Sequence, residues 1–280
     1  RAEKFAKTHS SRPLCRLRLA ESLLFSGRPG DLDMAAEYIQ VSEKHMLAEE
    51  VWDLAKKGLD PKKIQTVGAA ICAGRFEEAE KLLSVKGKVL PSTINNVKLC
   101  AELENGRVVK GQVEVSNIKR NFNSPIKRLF LDPEASAYPP ALKAIKEADL
   151  VVLGPGSLYS SVLPNLLIKE VASAIRSSRA RKVYVVNIMA EHGETDGLTA
   201  SQHVAEIEKY LGAELDYAIV NTGKAPKDLL KRYEEEFKVQ IEPDIESIRA
   251  RVIKGDFLRK KNLLRHDSLK LAKAIASIRS

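Results

Sequence analysis

Three short apolar runs in the second half of the chain constrain its fold more than any other feature. They are Leu150–Leu153, 183–186 and 217–220, and each is bounded by polar or glycine residues. Helical patterns lie between them, over 164–178 and Ala200–Leu211. Apolar runs that alternate with helices are typical of strands in a parallel sheet that is covered on both faces. The pattern therefore predicts an α/β, Rossmann-like three-layer fold with a mainly parallel central sheet.

Two further regions are predicted outside this α/β part. Asn105-Gly106 is typical of a tight β-hairpin turn, and the residues on both sides of it, 97–104 and 107–115, alternate in polarity. Residues 1–84 show mainly helical spacing of apolar side chains. The other predicted elements are a loop over 26–31, helices over 33–58 and 62–84, a strand over 126–131 and a helix over 140–148. We therefore expect a single domain with a helical N-terminal part, 1–84, and an α/β core, 85–280, that contains an inserted β-hairpin region.

The composition is that of a globular protein from a reducing compartment. Hydrophobic residues make up 44% of the 280 residues, which is enough to bury a core and excludes a fully disordered chain. No run of about 18 apolar residues occurs, so we expect no membrane-spanning helix. The three cysteines, Cys15, Cys72 and Cys100, lie far apart, show no metal-ligand spacing and form no even set for disulfides. A cytoplasmic location is therefore predicted.

The positive charge is concentrated towards the C-terminus. The chain carries 46 Lys and Arg against 37 Asp and Glu, a net charge of +9. Residues 249–280 hold ten Lys and Arg against only Asp256 and Asp267, which accounts for +8 of that charge. Such a segment could bind RNA, an acidic partner or a phosphorylated ligand, or it could be the solvated face of a helix. Phe257 is its one aromatic residue, which disfavours stacking on single-stranded nucleic acid.

Each predicted strand of the parallel sheet ends in a loop that contains glycine or polar residues. The first loop is 154–161, Gly-Pro-Gly-Ser-Leu-Tyr-Ser-Ser, the second begins at Asn187 and the third at Asn221. In open parallel sheets, ligands bind outside the carboxyl ends of the strands, where these loops converge. Glycine lets the backbone approach a ligand, and the serine hydroxyls and the start of the following helix favour an anion. The same loop could equally be a tight connection between strand and helix, and its spacing is not that of a Walker phosphate loop.

Titratable residues near these loops allow an acid–base hypothesis. His192 and Glu194 follow the second predicted strand and could move protons to or from a ligand. A glutamate in a Gly-Glu-Thr turn could instead be a loop ligand or a helix cap. His203 falls inside a predicted helix and is expected to serve packing or to lie at the surface. No Ser/His/Asp grouping is identifiable and no cluster has metal-ligand spacing, so we predict neither catalytic residues nor a metal site.

Several segments, in the same order along the chain, resemble a known family. The longest is 149–167, Asp-Leu-Val-Val-Leu-Gly-Pro-Gly-Ser-Leu-Tyr-Ser-Ser-Val-Leu-Pro-Asn-Leu-Leu, which is similar to the signature of the YvcK/CofD-like family of gluconeogenesis factors. The others are 85–93, 182–189 with Gly-Glu-Thr at 193–195, Lys-Arg-Tyr-Glu at 231–234 and Arg-His-Asp at 265–267. Together the similar segments run from about 76 to 278.

The resemblance implies a nucleotide-sugar-binding regulator of the YvcK type. Such a protein would bind a UDP-sugar, for example UDP-N-acetylglucosamine, and would act through a protein partner, alone or as a homo-oligomer. Its roles would lie in carbon metabolism during gluconeogenic growth, in cell-envelope precursor synthesis and in cell shape. The resemblance implies that Tyr233 and Arg265 contact the sugar and the diphosphate. Asn187 and Asn221 are predicted to bind the nucleotide for another reason, because they lie at the ends of predicted strands. The predicted nucleotide-binding set is Gly154, Gly156, Ser157, Tyr159, Asn187, Asn221, Tyr233 and Arg265. Binding requires no catalysis, and we expect a protein that is not an enzyme.

A second branch of the same family gives the main alternative. That branch transfers a phospholactyl group to a deazaflavin, so the chain would be a 2-phospho-L-lactate transferase that uses a divalent metal such as Mg²⁺. The sequence Gly-Pro-Gly-Ser-Leu-Tyr at 154–159 resembles the regulator branch more closely. Another alternative is a nucleic-acid-binding module that uses the basic segment 249–280, with binding that falls steeply as salt is added.

The chain departs from the family pattern at its N-terminal end. The family opens with a strand, a Gly-Gly-Gly-Thr-Gly-Leu loop and an Asp-Asp-Gly-Gly-Ser segment, none of which occurs in residues 1–280. We expect this half of the phosphate cradle to be missing from a chain that starts at Arg1, which would weaken nucleotide binding. Ala-Glu-His at 190–192 also stands where the family more often has Thr-Gln-Pro.

Overall fold

The structure, a computed structural model, describes residues 90–118, 122, 124–234, 239–260 and 264–278. The described strands and helices all belong to a compact unit that runs from Pro91 to Ser280. The helices predicted over 33–58 and 62–84 and the loop over 26–31 lie outside the described residues, so the helical N-terminal part stays a prediction. None of the described helices is long and apolar enough to cross a membrane.

A three-stranded antiparallel sheet comes first in the described part. It consists of β1 (Lys98–Leu103), β2 (Val108–Lys110) and β3 (Ile126–Asp132), in the order β2-β1-β3. The turn predicted at Asn105-Gly106 joins β1 to β2, and Gly106 has a φ of 81°, which glycine adopts at little cost. The inserted β-hairpin region is therefore confirmed, with β3 as its third strand.

The second strand of this hairpin is shorter than predicted. β2 ends at Lys110 and is followed by a single helical turn, α1 (Gln112–Val115), so the prediction of a strand up to residue 115 is wrong. The cause is Gly111, whose φ of 112° turns the chain out of the extended conformation. Val115 then enters the core instead of pairing in the sheet.

The predicted parallel sheet is present and has four described strands. They are β4 (Leu150–Leu153), β5 (Arg181–Val185), β6 (Tyr217–Asn221) and β7 (Arg251–Gly255), and they pair in that order, all parallel. The first three coincide with the apolar runs of the sequence. The apolar pattern does not predict β7, because its Arg-Val-Ile-Lys-Gly sequence contains only two consecutive apolar residues. The exposed Arg251 and Lys254 suit its place at the end of the described strand order, where burial is less complete.

Helices connect the strands of the parallel sheet. Besides α1, the described helices are α2 (Pro139–Glu147), α3 (Leu163–Leu166), α4 (Lys169–Ser177), α5 (Ala200–Leu211), α6 (Lys227–Glu234) and α7 (Ser268–Ala276), with a π-helix over Leu158–Val162 and a 3-10 turn over Ile245–Ser247. The predictions of α2 and α5 are confirmed. The single helix predicted over 164–178 is divided into α3 and α4, because Ile168 between them has extended backbone with a ψ of 106°.

Both faces of the parallel sheet are covered, as the α/β pattern predicts. On β5, Tyr184 points into the larger core, which also holds residues of α3, α4, α5 and the antiparallel sheet. Its neighbours Val183 and Val185 point to the opposite face. There they meet Leu271 and Ile275 of α7. The three-layer architecture is therefore confirmed within the described part of the chain.

The basic C-terminal segment is part of this fold. After β7 it forms an antiparallel pair, β8 (Leu258–Lys260) and β9 (Leu264–His266), and then α7. The apolar side of α7 covers the second face of the sheet, while Lys270 and Lys273 are exposed. Two of the basic residues of this segment thus lie on the outer side of a helix that buries its other side against the sheet, and others belong to β7, β8 and β9.

Candidate functional site

The loop after β4 is held close to the end of β5. Gly154 has a φ of 74°, and a β-carbon at this residue would lie 3.1 Å from the carbonyl oxygen of Val185. A larger residue would therefore be both strained and crowded, which accounts for the glycine. The peptide bond from Gly154 to Pro155 is cis. The first two strand-end loops thus meet at one edge of the sheet, as the sequence predicts.

Asn187 fixes the second glycine of this loop. Its amide nitrogen donates to the Gly156 carbonyl oxygen at 2.8 Å, and its amide oxygen accepts the Gly156 N–H at 3.2 Å. The two bonds imitate the pairing of two backbone segments, and we call the pair Asn187 and Gly156 the asparagine lock. Both residues are partly exposed at the edge of the sheet. The lock therefore sets the shape of the glycine loop without burying it.

Ser157 and Tyr159 follow this glycine but have different surroundings. The Ser157 carbonyl oxygen accepts the N–H groups of Ser161 and Val162, both at 2.9 Å, at the start of the π-helix, while the Ser157 side chain is partly exposed. Tyr159 is buried in the larger core, and burial, together with the nearby Glu206 carboxylate, raises the pKa of its hydroxyl. The structure thus leaves Ser157 beside the loop and places Tyr159 in the core.

Asn221 ends β6 and is only 5% exposed. Its amide nitrogen donates to the Gly223 carbonyl oxygen at 2.9 Å, and its amide oxygen accepts the Phe257 N–H, also at 2.9 Å. Both groups of the amide thus join the loop after β6 to the connection between β7 and β8. Asn221 supports the edge of the sheet from within, and its direct contact with a ligand stays a prediction.

Tyr233 and Arg265 are brought together through β9. The Tyr233 hydroxyl accepts the N–H of Leu264 at 3.1 Å, and Arg265 is the next residue of the strand. Tyr233 also packs on a small core that contains Leu264, Leu258 and Ile188. Because Ile188 directly follows the asparagine of the lock, this small core places the β8–β9 pair beside the loop after β5.

A second arginine, which no sequence motif indicates, stands opposite Arg265. Arg259 and Arg265 are directly opposite in the register of β8 and β9, so their side chains lie on one face of the pair. Leu258 and Leu264 are buried on the other face. Like charges in opposite positions are unfavourable, and the Asp267 carboxylate interacts with Arg259. Only the register reveals the arginine pair, because the two residues are not related by a sequence motif.

His266 ties β9 to the end of β5. Burial lowers the pKa of its imidazole to about 4, although a hydrogen bond to the Val186 carbonyl partly opposes this shift. The ring is therefore neutral at neutral pH. Its contact with Val186 holds the last residue of β9 against the strand that leads into the asparagine lock.

Residues 239–242, which we call the crossing segment, run across the loop after β5. Ala190 donates its N–H to the Val239 carbonyl oxygen at 2.8 Å, and Ile241 donates to Ile188 at 2.9 Å. The Gln240 amide nitrogen donates to the Gly223 carbonyl oxygen at 2.7 Å, which connects the second and third strand-end loops. The alternating Val-Gln-Ile-Glu sequence is the signal from which this segment could have been found.

The two residues of the acid–base hypothesis lie in different environments. His192 is partly exposed, with its Nδ1 3.0 Å from an Asp196 carboxylate oxygen, whereas Glu194 is 5% exposed. His203 is fully buried, with its Nδ1 2.8 Å from the Thr199 carbonyl oxygen, which confirms the packing alternative. In the part of the chain that the structure describes, no group of three or more His, Cys, Asp or Glu side chains could hold a metal ion.

This edge of the sheet therefore combines two kinds of anion-binding chemistry. The glycine loop offers backbone groups at the start of a helical segment. The β8–β9 pair offers guanidinium groups, which bind carboxylate and phosphate oxygens in a bidentate manner. The arrangement suits a ligand with phosphate groups.

Comparisons with known proteins agree with this fold. Residues 31–258 match the family described as 2-phospho-L-lactate transferase CofD. The gluconeogenesis factor of Bacillus subtilis strain 168 is 38% identical over 207 residues, which cover 72% of this chain and 64% of that protein. A provisionally named gluconeogenesis factor of Thermoanaerobacterium thermosulfurigenes is 43% identical over 212 residues, which cover 72% of this chain and 66% of that protein.

A solved structure shows the same similarity in three dimensions. It is a member of the UPF0052 family from Bacillus halodurans, with a TM-score of 0.67 at 36% identity over 71% of this chain and 64% of that one. The chain spans about two thirds of the length of these relatives, and 47% of the length of a relative from Clostridium acetobutylicum. Because the family match covers most of the chain, the chain belongs to the CofD/YvcK family, which includes these gluconeogenesis factors.

Proposed function

We propose that this chain is the ligand-binding part of a YvcK-type regulator and that it holds a UDP-sugar, such as UDP-N-acetylglucosamine, at the carboxyl ends of β4 to β6. The observation that carries the proposal is the asparagine lock, because it fixes a glycine loop where open parallel sheets bind their ligands. A loop that is already ordered loses less entropy when a ligand binds.

Each part of the site has a separate task in this proposal. The glycine loop lets the backbone and Ser157 approach the phosphate groups. Arg265 supplies positive charge to the diphosphate, with Arg259 opposite it as a second guanidinium group. Tyr233 orients β9 through the bond between its hydroxyl and the strand backbone. Asn221 and the buried Tyr159 support the loops from within the fold.

Regulation follows from binding rather than from turnover in this proposal. A bound ligand would hold the β8–β9 pair and the loop after β5 together. The site would then present one defined surface to a protein partner. The protein that binds this partner would be a single chain or a homo-oligomer. The names of the relatives support a role in carbon metabolism during gluconeogenic growth. The family resemblance extends the proposal to cell-envelope precursor synthesis and cell shape, in the cytoplasm.

A phospholactyl transferase is a second candidate, and one observation favours it. The family that matches residues 31–258 is described by that activity. A transferase would convert a deazaflavin acceptor to its phosphorylated product in the presence of Mg²⁺, and mass spectrometry would detect that product. The loop at 154–159 resembles the regulator branch instead, and for that reason we place the transferase second.

Titration calorimetry with UDP-N-acetylglucosamine tests the proposed ligand. We expect Arg265→Ala to weaken binding at least about tenfold, because a hydrogen bond to a charged group is worth about 1.5–3 kcal/mol. Arg249→Ala is the matched control, since that arginine lies in the same basic segment but is 87% exposed and 3.7 Å from Glu214. The control should bind like the unchanged chain.

Two results would contradict the proposal. One is the absence of heat with any UDP-sugar when the full chain is titrated. The other is an equal loss of affinity in Arg265→Ala and Arg249→Ala, which would indicate general electrostatic attraction by the basic segment. A steep fall of binding to RNA with salt, in the absence of UDP-sugar binding, would favour the nucleic-acid alternative.

A further inference from the structure

A buried carboxyl group lies behind the glycine loop without a hydrogen-bond partner among the described residues. Glu194 is 5% exposed, and neither of its carboxylate oxygens has such a partner there. The hydroxyl of Tyr184, whose side chain is fully buried, is also unpartnered. Burial of an ionised carboxylate without partners is costly, so Glu194 needs either a proton or a positive neighbour.

The turn that carries Glu194 brings a second carboxyl group against it. The Glu191 carbonyl oxygen accepts the N–H of Glu194 at 3.1 Å and that of Thr195 at 2.9 Å, and the N–H of Glu191 donates to the Thr195 hydroxyl at 2.9 Å. In this closed turn the carboxyl groups of Glu191 and Glu194 lie close enough to interact. Glu191 is partly exposed, so its half of the pair reaches solvent.

No positive side chain balances this pair among the described residues. None of the ion pairs there includes Glu191 or Glu194. The imidazole in the same turn, His192, lies against Asp196. Among the described residues, Glu194 is therefore not stabilised by a positively charged neighbour.

The elements packed against Glu194 present hydroxyl groups, the backbone of Ser160 and further acids, and the two groups of Ser160 act to lower the pKa of Glu194. The groups from β5, the π-helix and α5 are Tyr184, Ser160, Tyr159 and, beyond Tyr159, Glu206. Burial, and then the contact with Glu191, raises the pKa of the Glu194 carboxyl well above its ordinary value. Two carboxyl groups in contact in a medium of low polarity cannot both ionise.

We propose that Glu191 and Glu194 share one proton at neutral pH and together form a carboxylic acid–carboxylate pair. The proton resides on Glu194, whose O–H donates to the carboxylate of Glu191, so the pair carries one negative charge instead of two. The bond joins two residues of the turn after β5, and Glu194 itself lies against Ser160 of the π-helix that follows the glycine loop. The proposal concerns the fold of these loops and does not depend on the identity of the ligand.

The pair makes the stability of the unit depend on pH in a defined direction. Because the pKa of Glu194 is raised in the folded state, its contribution to stability is complete below the ordinary glutamate pKa and is lost as the pH rises through the raised pKa. Between these two pKa values, each pH unit lowers the folding equilibrium constant about tenfold for one proton.

Infrared spectroscopy of the full chain tests the shared proton directly. We expect the carbonyl band of a protonated carboxyl group at neutral pH and its loss at high pH. Glu194→Gln should lack the band, and Glu191→Gln should weaken it, because its amide can donate to an ionised Glu194. Glu170→Gln, at an exposed glutamate of α4, is the matched control and should keep the band.

Thermal unfolding of the same variants gives a second, independent measurement. The Tm of the unchanged chain should fall as the pH rises from the ordinary glutamate pKa through the raised pKa of Glu194, while the Tm of Glu194→Gln should fall less, because its amide can donate to Glu191 at every pH. The proposal is overturned if the band is absent at neutral pH, or if both proteins have the same pH dependence. Stabilisation by Mg²⁺ or Ca²⁺ that Glu194→Gln abolishes would also overturn it, in favour of a cation between the carboxylates.

Discussion

Two asparagines at the ends of neighbouring strands use their side-chain amides for different purposes. Asn187 pairs with the partly exposed Gly156, so it shapes a loop that can still meet a ligand. Asn221 is buried between Gly223 and Phe257, so both of its hydrogen bonds are internal. Loss of the first amide should therefore affect binding, and loss of the second should affect stability.

We expect Asn221→Ala to lower the free energy of unfolding by about 2–3 kcal/mol, because the buried Phe257 N–H and the Gly223 carbonyl oxygen each lose a partner. Urea denaturation followed by circular dichroism measures the change. Thr222→Ala removes a hydroxyl group from the exposed neighbouring residue, and should alter stability by less than about 0.5 kcal/mol. Equal effects of the two substitutions would contradict the structural role of Asn221.

The positions of the site residues could be predicted from the sequence more readily than their partners. The glycine loop and the two asparagines follow apolar runs, and the carboxyl ends of parallel strands share an edge. The opposition of Arg259 and Arg265 depends on the register of two short strands, which the sequence does not state. The burial of Glu194 likewise depends on the π-helix that packs over it, and an acidic residue in a turn is ordinarily expected at the surface.

At the scale of elements, α5 is predicted to the residue because its end signals are local. Thr199 and Gln202 form a capping box at its start, and Gly212, with a φ of 70°, ends it in the left-handed conformation. The split between α3 and α4 and the strand β7 have no comparable local signal. Packing against the rest of the unit decides them, so the helical and apolar patterns of the sequence do not locate them.

The capping box of α5 should make a measurable contribution to stability. Thr199→Ala is expected to lower the free energy of unfolding by about 1 kcal/mol, because the Gln202 N–H loses its side-chain acceptor. Thr199→Ser keeps the hydroxyl group and should lose clearly less. Denaturant midpoints of the two variants provide the measurement, and an equal loss in both would show that the threonine methyl group, and not the cap, matters.

Across the whole molecule, titratable groups in the interior lower the free energy of unfolding both when the pH falls and when the pH rises. His203 is buried and His266 is half-buried, and both have lowered pKa values, so the unfolded chain binds more protons than the folded one when the pH falls. Glu194 acts in the opposite sense, since its raised pKa makes the folded chain hold a proton that the unfolded chain releases. The unit should therefore be most stable near neutral pH rather than at its sequence pI of about 9.3.

His266→Gln tests the acidic side of this profile. The unchanged chain should lose stability as the pH falls from the ordinary histidine value of about 6.5 towards the lowered value of about 4, by up to about 3 kcal/mol. The variant should lose less over this interval, because it has no imidazole to protonate, and Tm measured against pH would show the difference. His192→Gln, at a partly exposed imidazole, is the control and should keep the acidic loss.

The crossing segment limits how the sequence of this protein can change over evolution. Residues 239–242 pair with the loop after β5, and Glu242 also accepts the N–H of Ala200, the first residue of α5. Successive side chains in extended backbone point to opposite sides, so insertion of one residue would exchange the buried Ile241 with the position of Gln240. Single substitutions in this segment can be tolerated one at a time, whereas a change in its length would alter two strand-end loops and a helix start together. Selection should therefore preserve the length of the crossing segment more strictly than the identities of its four residues.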